Sequence, residues 1–334
     1  MPSAASARWG SRDATSRSAD QRVSWALTDP PRRAPETSRP ESEHGHGSTY
    51  RTLARTRGVS IVDVHCRWHA GARYRERFQT FGLSLVRRGV FVRHTRSADQ
   101  VGDPTVAIFE QPGHEQWVSH PLAVPGSTTV IVLSAEAMAG YTGDVSMPDR
   151  PIPVSPAIHL HHADLLAGLR SGIDEAELDA RLTWLIGRLV KTISPGRLTS
   201  HRAATARSHQ RIVDHVREAI AADPASLDLR RLAAQLGHTP FHVSRVLRRI
   251  TGTTLIQHRN DVRVAVAVDR IAEGHDGLAE LAAELGFFDQ SHLARVLRRS
   301  VQLSPGRLRD RLVRGGRPGA IPDNGVQDPG PLAT

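Results

Sequence analysis

Arginines at matched positions of two nearly repeated stretches carry the most specific chemistry in this chain. Val243-Ser-Arg-Val-Leu-Arg-Arg249 holds Arg245, Arg248 and Arg249, and Leu293-Ala-Arg-Val-Leu-Arg-Arg299 holds Arg295, Arg298 and Arg299. A guanidinium offers a rigid fork of donors that fits guanine O6 and N7, or a phosphate, with both arms. In the first copy Val243, Val246, Leu247 and Ile250 mark an inward stripe. Phe241, Ser244, Arg245 and Arg248 fall on the opposite i, i+3, i+4, i+7 stripe. A helix divided in this way buries one side and presents the other to a polyanion.

The elements that must position those side chains are also repeated. Leu232-Ala-Ala-Gln-Leu-Gly237 and Leu281-Ala-Ala-Glu-Leu-Gly286 precede the two arginine helices. Their apolar residues recur at helical spacing, and each glycine stands where a left-handed helix end favours a residue without Cβ. Thr239-Pro240 then supplies an N-cap with proline at the first helical position, and Asp289 supplies the second cap. Helix, glycine turn, capped helix is the pattern of a helix-turn-helix, whose second helix enters a DNA major groove. The joining stretch from Leu255 to Ala272, with Val262, Val266, Val268 and Ile271, reads as a helix. Its 18 residues would span ~27 Å, the right order for holding two such units near the ~34 Å of successive major-groove faces.

Residues from about 208 to 312 resemble the DNA-binding domain of the AraC/XylS family of bacterial transcription regulators. The resemblance rests on the repeat, on Gly286-Phe-Phe-Asp-Gln-Ser-His-Leu293, and on the closing Leu303-Ser304-Pro305. The family usually has glycine where Gln302 stands, and proline where Leu255 stands. The resemblance implies that Phe241, Ser244 and Arg245 face bases in the first unit, and Ser291, His292 and Arg295 in the second. Gln290 opens the second helix, where it can pair with adenine, and an aromatic such as Phe241 can pack on a thymine methyl. Arg248, Arg249, Arg298 and Arg299 are expected on the phosphate backbone, where they give affinity and register.

Composition agrees with a polyanionic partner. The 334 residues carry a net charge of +10, and residues 201–314 hold 19 Arg against 12 Asp or Glu, a net of +7. The basic excess therefore sits mainly with the repeat. Cys66 is the only cysteine, which excludes an intramolecular disulfide and a cysteine-based zinc or iron–sulfur site within one chain. No apolar run is long enough to span a membrane, and no secretory leader is apparent, so a cytoplasmic protein is expected. Residues 1–48, rich in Ser, Arg, Ala and Pro, and residues 313–334 are expected to be disordered tails.

Between the tail and the repeat the pattern changes to short strands. Val59–Val64, Gly82–Val86, Gly89–Arg93, Thr105–Phe109 and Thr128–Leu133 alternate with turn signals such as Asp103-Pro104, Pro112-Gly113 and Pro125-Gly126. Residues 58–157 are expected to form an all-β barrel or sandwich, and resemble the cupin-type sensor domain found in the same regulator family. The motif is Pro104-Thr-Val-Ala-Ile-Phe, then Pro112-Gly-His-Glu, His120-Pro and Thr129-Val-Ile-Val. Trp68, Phe78, Phe109 and Trp117 are candidate walls of a pocket for a small-molecule effector, or plain core. A metal-dependent cupin would offer a His-x-His pair on a strand, and none is present there. His65, His69, His114, Glu115 and His120 remain a scattered set, read as packing or surface residues, and no metal or other cofactor is expected. Residues 135–157 read as a connection. Residues 158–200 are expected to be a helical connector, with the stripe Leu178, Leu182, Leu185, Leu189 and Val190 pairing subunits or packing on its own barrel.

The expected protein is thus multidomain: a cupin-like barrel, a helical connector, and an all-α domain with two helix-turn-helix units. It would bind promoter DNA in sequence-specific fashion, with RNA polymerase, a small effector and a second copy of itself as further partners. No nucleophile, base and orienting group recur at a catalytic spacing, so no catalytic residue is assigned. Two alternatives stand beside this reading: a metal-cupin enzyme fused to a DNA-binding module, and a nonspecific DNA binder.

Overall fold

The computed structural model describes residues 22–25, 47–67, 69–143, 145–193 and 203–313. Its N-terminal part is built on two facing sheets. The larger contains β2 (Ser48–Thr56), β3 (Val59–Cys66), β5 (Phe81–Arg88), β8 (Val106–Glu110), β10 (Gly126–Leu133) and β11 (Ile152–Pro153), in the order β11-β8-β5-β10-β3-β2. The smaller contains β1 (Arg22–Trp25), β4 (Arg73–Phe78), β6 (Phe91–His94), β7 (Asp99–Gly102) and β9 (Glu115–Ser119), in the order β1-β4-β9-β6-β7. The pairings are antiparallel except β1 with β4. Residues 22–25, expected within a structureless tail, therefore form an edge strand. The rest of that tail to residue 46, and the tail beyond 313, lie outside the described residues.

The central strands β3, β5 and β10 are apolar on both faces because both are covered. One face, with Val62, Val64, Val130 and Val132, looks into the barrel. The other, with Ile61, Leu83, Leu85 and Ile131, packs under helices. Those helices are α1 (Ala135–Thr142), α2 (Pro156–Ser171) and α3 (Glu175–Lys191). Residues 135–157, expected to be a connection, thus contain α1 and β11. α1 forms despite Gly140 within it and Gly143 at its end, because the Ser134 hydroxyl accepts from Ala137 N at 3.1 Å and caps it. In α3, Leu178, Leu182, Leu185 and Leu189 are all buried against the barrel. The stripe offered for subunit pairing is consumed within one chain.

The C-terminal part comprises α4 (Ala203–Ala222), α5 (Leu229–Gln235), α6 (Pro240–Thr251), α7 (Leu255–Ala272), α8 (Leu278–Glu284), α9 (Gln290–Val301) and α10 (Pro305–Leu312). One apolar cluster joins α4, α5, α6 and the start of α7 through Val213, Val216, Ala233, Val243, Leu247 and Val262. A second joins the end of α7 to α8, α9 and α10 through Val268, Ile271, Leu281, Leu293, Leu297 and Leu308. Leu160, Ala163 and Ala167 of α2 belong to this second cluster, so the connector and the second helix-turn-helix share a core.

Candidate nucleic-acid interface

Both arginine helices begin at the caps read from the sequence. Thr239 Oγ1 accepts from His242 N at 3.2 Å, and Asp289 Oδ1 from His292 N at 2.6 Å. Gly237 and Gly286 both adopt φ of +69°, the left-handed conformation that their place after α5 and α8 demands. Leu232, Ala233, Leu281 and Ala282 are buried, as are Val243, Val246, Leu247, Leu293 and Leu297. Each unit is anchored in one of the two apolar clusters, and its second helix stands with one side open.

That open side carries the expected set. Phe241, at 70% exposure, Arg245, Arg248 and Arg249 are exposed on α6, with Ser244 half-buried. Gln290, Ser291, Arg295, Arg298 and Arg299 are exposed on α9, with His292 half-buried. Ile250 departs from expectation: it is 43% exposed, because the inward face of α6 ends one turn earlier. The two units differ in how they hold their arginine. Arg245 lies over the Phe241 ring, 5.4 Å from its centroid, whereas Arg295 Nε donates to the Ser291 carbonyl of its own helix at 3.4 Å. His292 accepts from Phe288 N at 3.3 Å and meets the Phe287 ring edge-on. It braces the turn as well as bordering the open face. Gln302, standing where glycine is usual, takes the left-handed conformation at φ 59° and donates from Nε2 to the Arg299 carbonyl at 3.1 Å.

Residues 232–311 match the helix-turn-helix domain family. Residues 232–311 are an AraC-type helix-turn-helix domain. Two bacterial regulatory proteins are also similar, each over about a third of the chain. A 96-residue stretch is 32% identical to the MmsAB operon regulatory protein of Pseudomonas aeruginosa, covering 29% of this chain and 31% of that protein. A 108-residue stretch is 27% identical to the regulatory protein SoxS of Salmonella typhimurium, covering 31% of this chain and 99% of SoxS. The chain thus aligns with less than a third of the length of the MmsAB regulator. Among solved structures, ToxT from Vibrio cholerae spans 77% of this chain and 99% of its own at 9% identity, with a TM-score of 0.33. A cupin domain from Bordetella pertussis spans 27% of this chain and 95% of its own at 14% identity, with a TM-score of 0.23.

The AraC-type domain is not free of the barrel. Arg87 pairs with Asp63 of β3 and, at 3.3 Å, with Asp269 of α7, all three side chains being buried. Arg88 Nε lies 2.8 Å from Asp269 Oδ2, and its Nη2 lies 2.6 Å from Glu273 Oε1. Nearer the start of α7, Asp103 Oδ2 is 3.7 Å from Arg217 Nε of α4 and 3.9 Å from His258 Nε2. Burial pushes the His258 imidazole below its usual pKa, against the pull of Asp103. Arg311 of α10 forks onto Asp164 of α2.

The barrel interior encloses a void of about 40 Å³, lined among others by Tyr74, Glu76, Ser84, Arg88, Glu110 and His120. Of the effector walls named from sequence, Phe78, Phe109 and Trp117 do not line it. Trp117 is 38% exposed on the outer side of β9, where Arg75 lies 5.2 Å from its ring centroid. Phe109 packs under the helices, Phe78 belongs to the buried cluster with Val62 and Val64, and Trp68 lies outside the described residues. Strand alternation accounts for Trp117, since on β9 the inward positions are Gln116 and Val118. On β4, Phe78 is inward with Tyr74 and Glu76 but packs with Val62 and Val132 away from the void. Gln116 Nε2 donates to Glu76 at 2.8 Å, and Arg93 Nη1 to Glu110 at 2.6 Å. Burial raises the Glu110 carboxyl despite Arg93 and lowers the His120 imidazole to about 4. The other histidines named from sequence stand apart: His65 bonds Asp63 and Ser127, and His114 is exposed beside Glu115. Among the described residues no group of three or more His, Cys, Asp or Glu could hold a metal ion, and no helix is long and apolar enough to cross a membrane.

Proposed function

We propose that this chain is a sequence-specific, DNA-binding transcription regulator that acts by coupling rather than by catalysis. The observation that carries the reading is the pair of capped helices with exposed arginines at matched positions, fixed to the single helix α7. Arg245 and Arg295 read bases, with Phe241, Ser244, Gln290, Ser291 and His292 around them. Arg248, Arg249, Arg298 and Arg299 grip phosphates. The barrel modulates the reader, with a small effector, RNA polymerase and a second copy as partners on chromosomal DNA in the cytoplasm.

Selection of genomic fragments with the full-length protein tests this. The expected result is a site with two short conserved blocks about one helical turn apart, each relaxed by one of Arg245→Ala and Arg295→Ala. Enrichment of no sequence, with affinity that only falls as salt rises, would overturn it.

A further inference from the structure

The barrel cavity and the helix that joins the two reading units share a residue. Ser84, Val86 and Arg88 are the alternate positions of β5 that line the cavity, and Leu83 and Leu85 pack against the helices instead. Arg88 ends that inward series at the strand's last position. Arg88 lines the void, and its guanidinium meets Asp269 and Glu273 of the reader. Its Nη2 also donates to Ser127 of β10 at 3.3 Å, beside the register shift between Ser127 and Thr128. Ser127 Oγ lies 3.2 Å from His65 Nδ1, and His65 Nε2 lies 3.1 Å from Asp63, which returns to Arg87 and so to Asp269. The network is closed, and Arg88 is its member on the cavity wall.

We infer that Arg88 is a positioning residue that reports the state of the barrel cavity to α7. The inference deepens the proposed regulation and rests on that reading. Asp269 and Glu273 occupy the last turn of α7 and the residue just after it, from which α8 and the second unit follow. Asp103 faces His258 near the start of the same helix. The barrel therefore grips α7 towards both ends, and α7 sets how the two reading helices stand to each other. Phe241, Arg245, Gln290, Ser291 and Arg295 stay exposed in this docked arrangement, so the latch does not cover the reading face. It fixes the relation between the two units. A group entering a void of about 40 Å³ presses on its walls, and Arg88 is the lining residue that also pairs with α7.

Hydrogen exchange of the full-length protein tests the latch without a ligand. Arg88→Ala and Glu273→Ala are each expected to speed exchange of amides 264–273 at least several-fold, and the double variant no more than either alone. Multiplying effects, or none, would overturn the coupling. Thr128→Leu fills the cavity from the neighbouring strand β10, and should speed the same amides in the natural chain but not in Arg88→Ala. If amides of β10 open as well, Val64→Ile is the milder filling, and the same dependence on Arg88 is required of it. Arg88→Ala should also weaken binding to a two-block site about tenfold while sparing a one-block site. Equal loss on both sites, or tighter binding, sinks the fixed-relation argument. Failure to select any DNA site would remove the proposed function, while the exchange results would still decide the latch.

Discussion

Replacing the two turn glycines with alanine should have unequal costs, although both stand at the same place in the repeat with the same φ of +69°. At Gly237 a Cβ meets nothing within 4 Å. The cost there is the left-handed conformation itself, roughly 1–2 kcal/mol. At Gly286 the new Cβ would lie 2.6 Å from Ala225 Cα, 2.7 Å from Ala225 O and 2.8 Å from Arg263 Nη2. The arginine tip can swing away, but the backbone at Ala225 cannot move without disturbing the bonds it accepts. Arg259 and Arg263 both donate to the Pro224 carbonyl at 2.8 Å, and both reach the Ala225 carbonyl. Overpacking of this kind adds about 1–3 kcal/mol, so Gly286→Ala should cost about 2–5 kcal/mol in all. Native-state hydrogen exchange on the full-length protein reads the two units separately. Gly237→Ala should speed α5 and α6 modestly, and Gly286→Ala should open α8 and α9 by roughly 5- to 150-fold more. Equal effects, or a milder Gly286→Ala, would refute the role given to the Ala225 contact.

Further tests follow from the open face and the buried carboxyls. Arg245→Ala and Arg295→Ala should each cost on the order of 1–3 kcal/mol on the selected site and relax one block only, measured by binding to single-base variants of that site. If Phe241 packs on a thymine methyl, replacing that thymine by uracil should weaken the natural protein several-fold and leave Phe241→Ala unaffected; equal responses of both proteins would count against the contact. Burial pushes the Asp214 carboxyl from 3.8 up to about 6, against the Gln210 bond and the charge of Arg217. Its folded pKa lies above its unfolded value, so its contribution is full below about pH 4 and is lost as pH rises through about 6. Asp214→Asn should therefore gain up to about 3 kcal/mol at neutral pH and flatten the stability profile between those values, which denaturant titration across pH would show.

The helical half was legible because its signals are local. Caps, turn glycines and the i, i+3, i+4 stripes of α6 and α9 lie within a dozen residues of each other, and tertiary packing had nothing to override. The barrel was legible only in outline. Its strongest strands, β3, β5 and β10, announced themselves by Val, Ile and Leu, but β7 and β9 carry Gln100, Gln116 and Glu115 and gave no such signal. The lining of the void was not legible because it includes Glu76 and Glu110, which pair with Gln116 and Arg93 across strands far apart in sequence. An aromatic such as Trp117 looked like a wall, but its position on β9 points it outward. The Arg87–Arg88 contacts with α7 join residues more than 180 positions apart, a separation that no spacing rule reaches.

The corner at Pro224 and Ala225 has a consequence for how this protein can be altered by recombination. The corner belongs to the first half of the reader, yet it is pinned by arginines of α7 and pressed by Gly286, while Arg263 also lies 5.2 Å from the Phe287 ring centroid. The two copies look like a duplicated module, but the duplicate has become dependent on its sibling. A chimaera that imports residues 274–312 without the matching corner receives a turn with nothing to lean on. Productive exchange between such chains should therefore have its breakpoints before α4 or after α10, and the reader should be inherited whole.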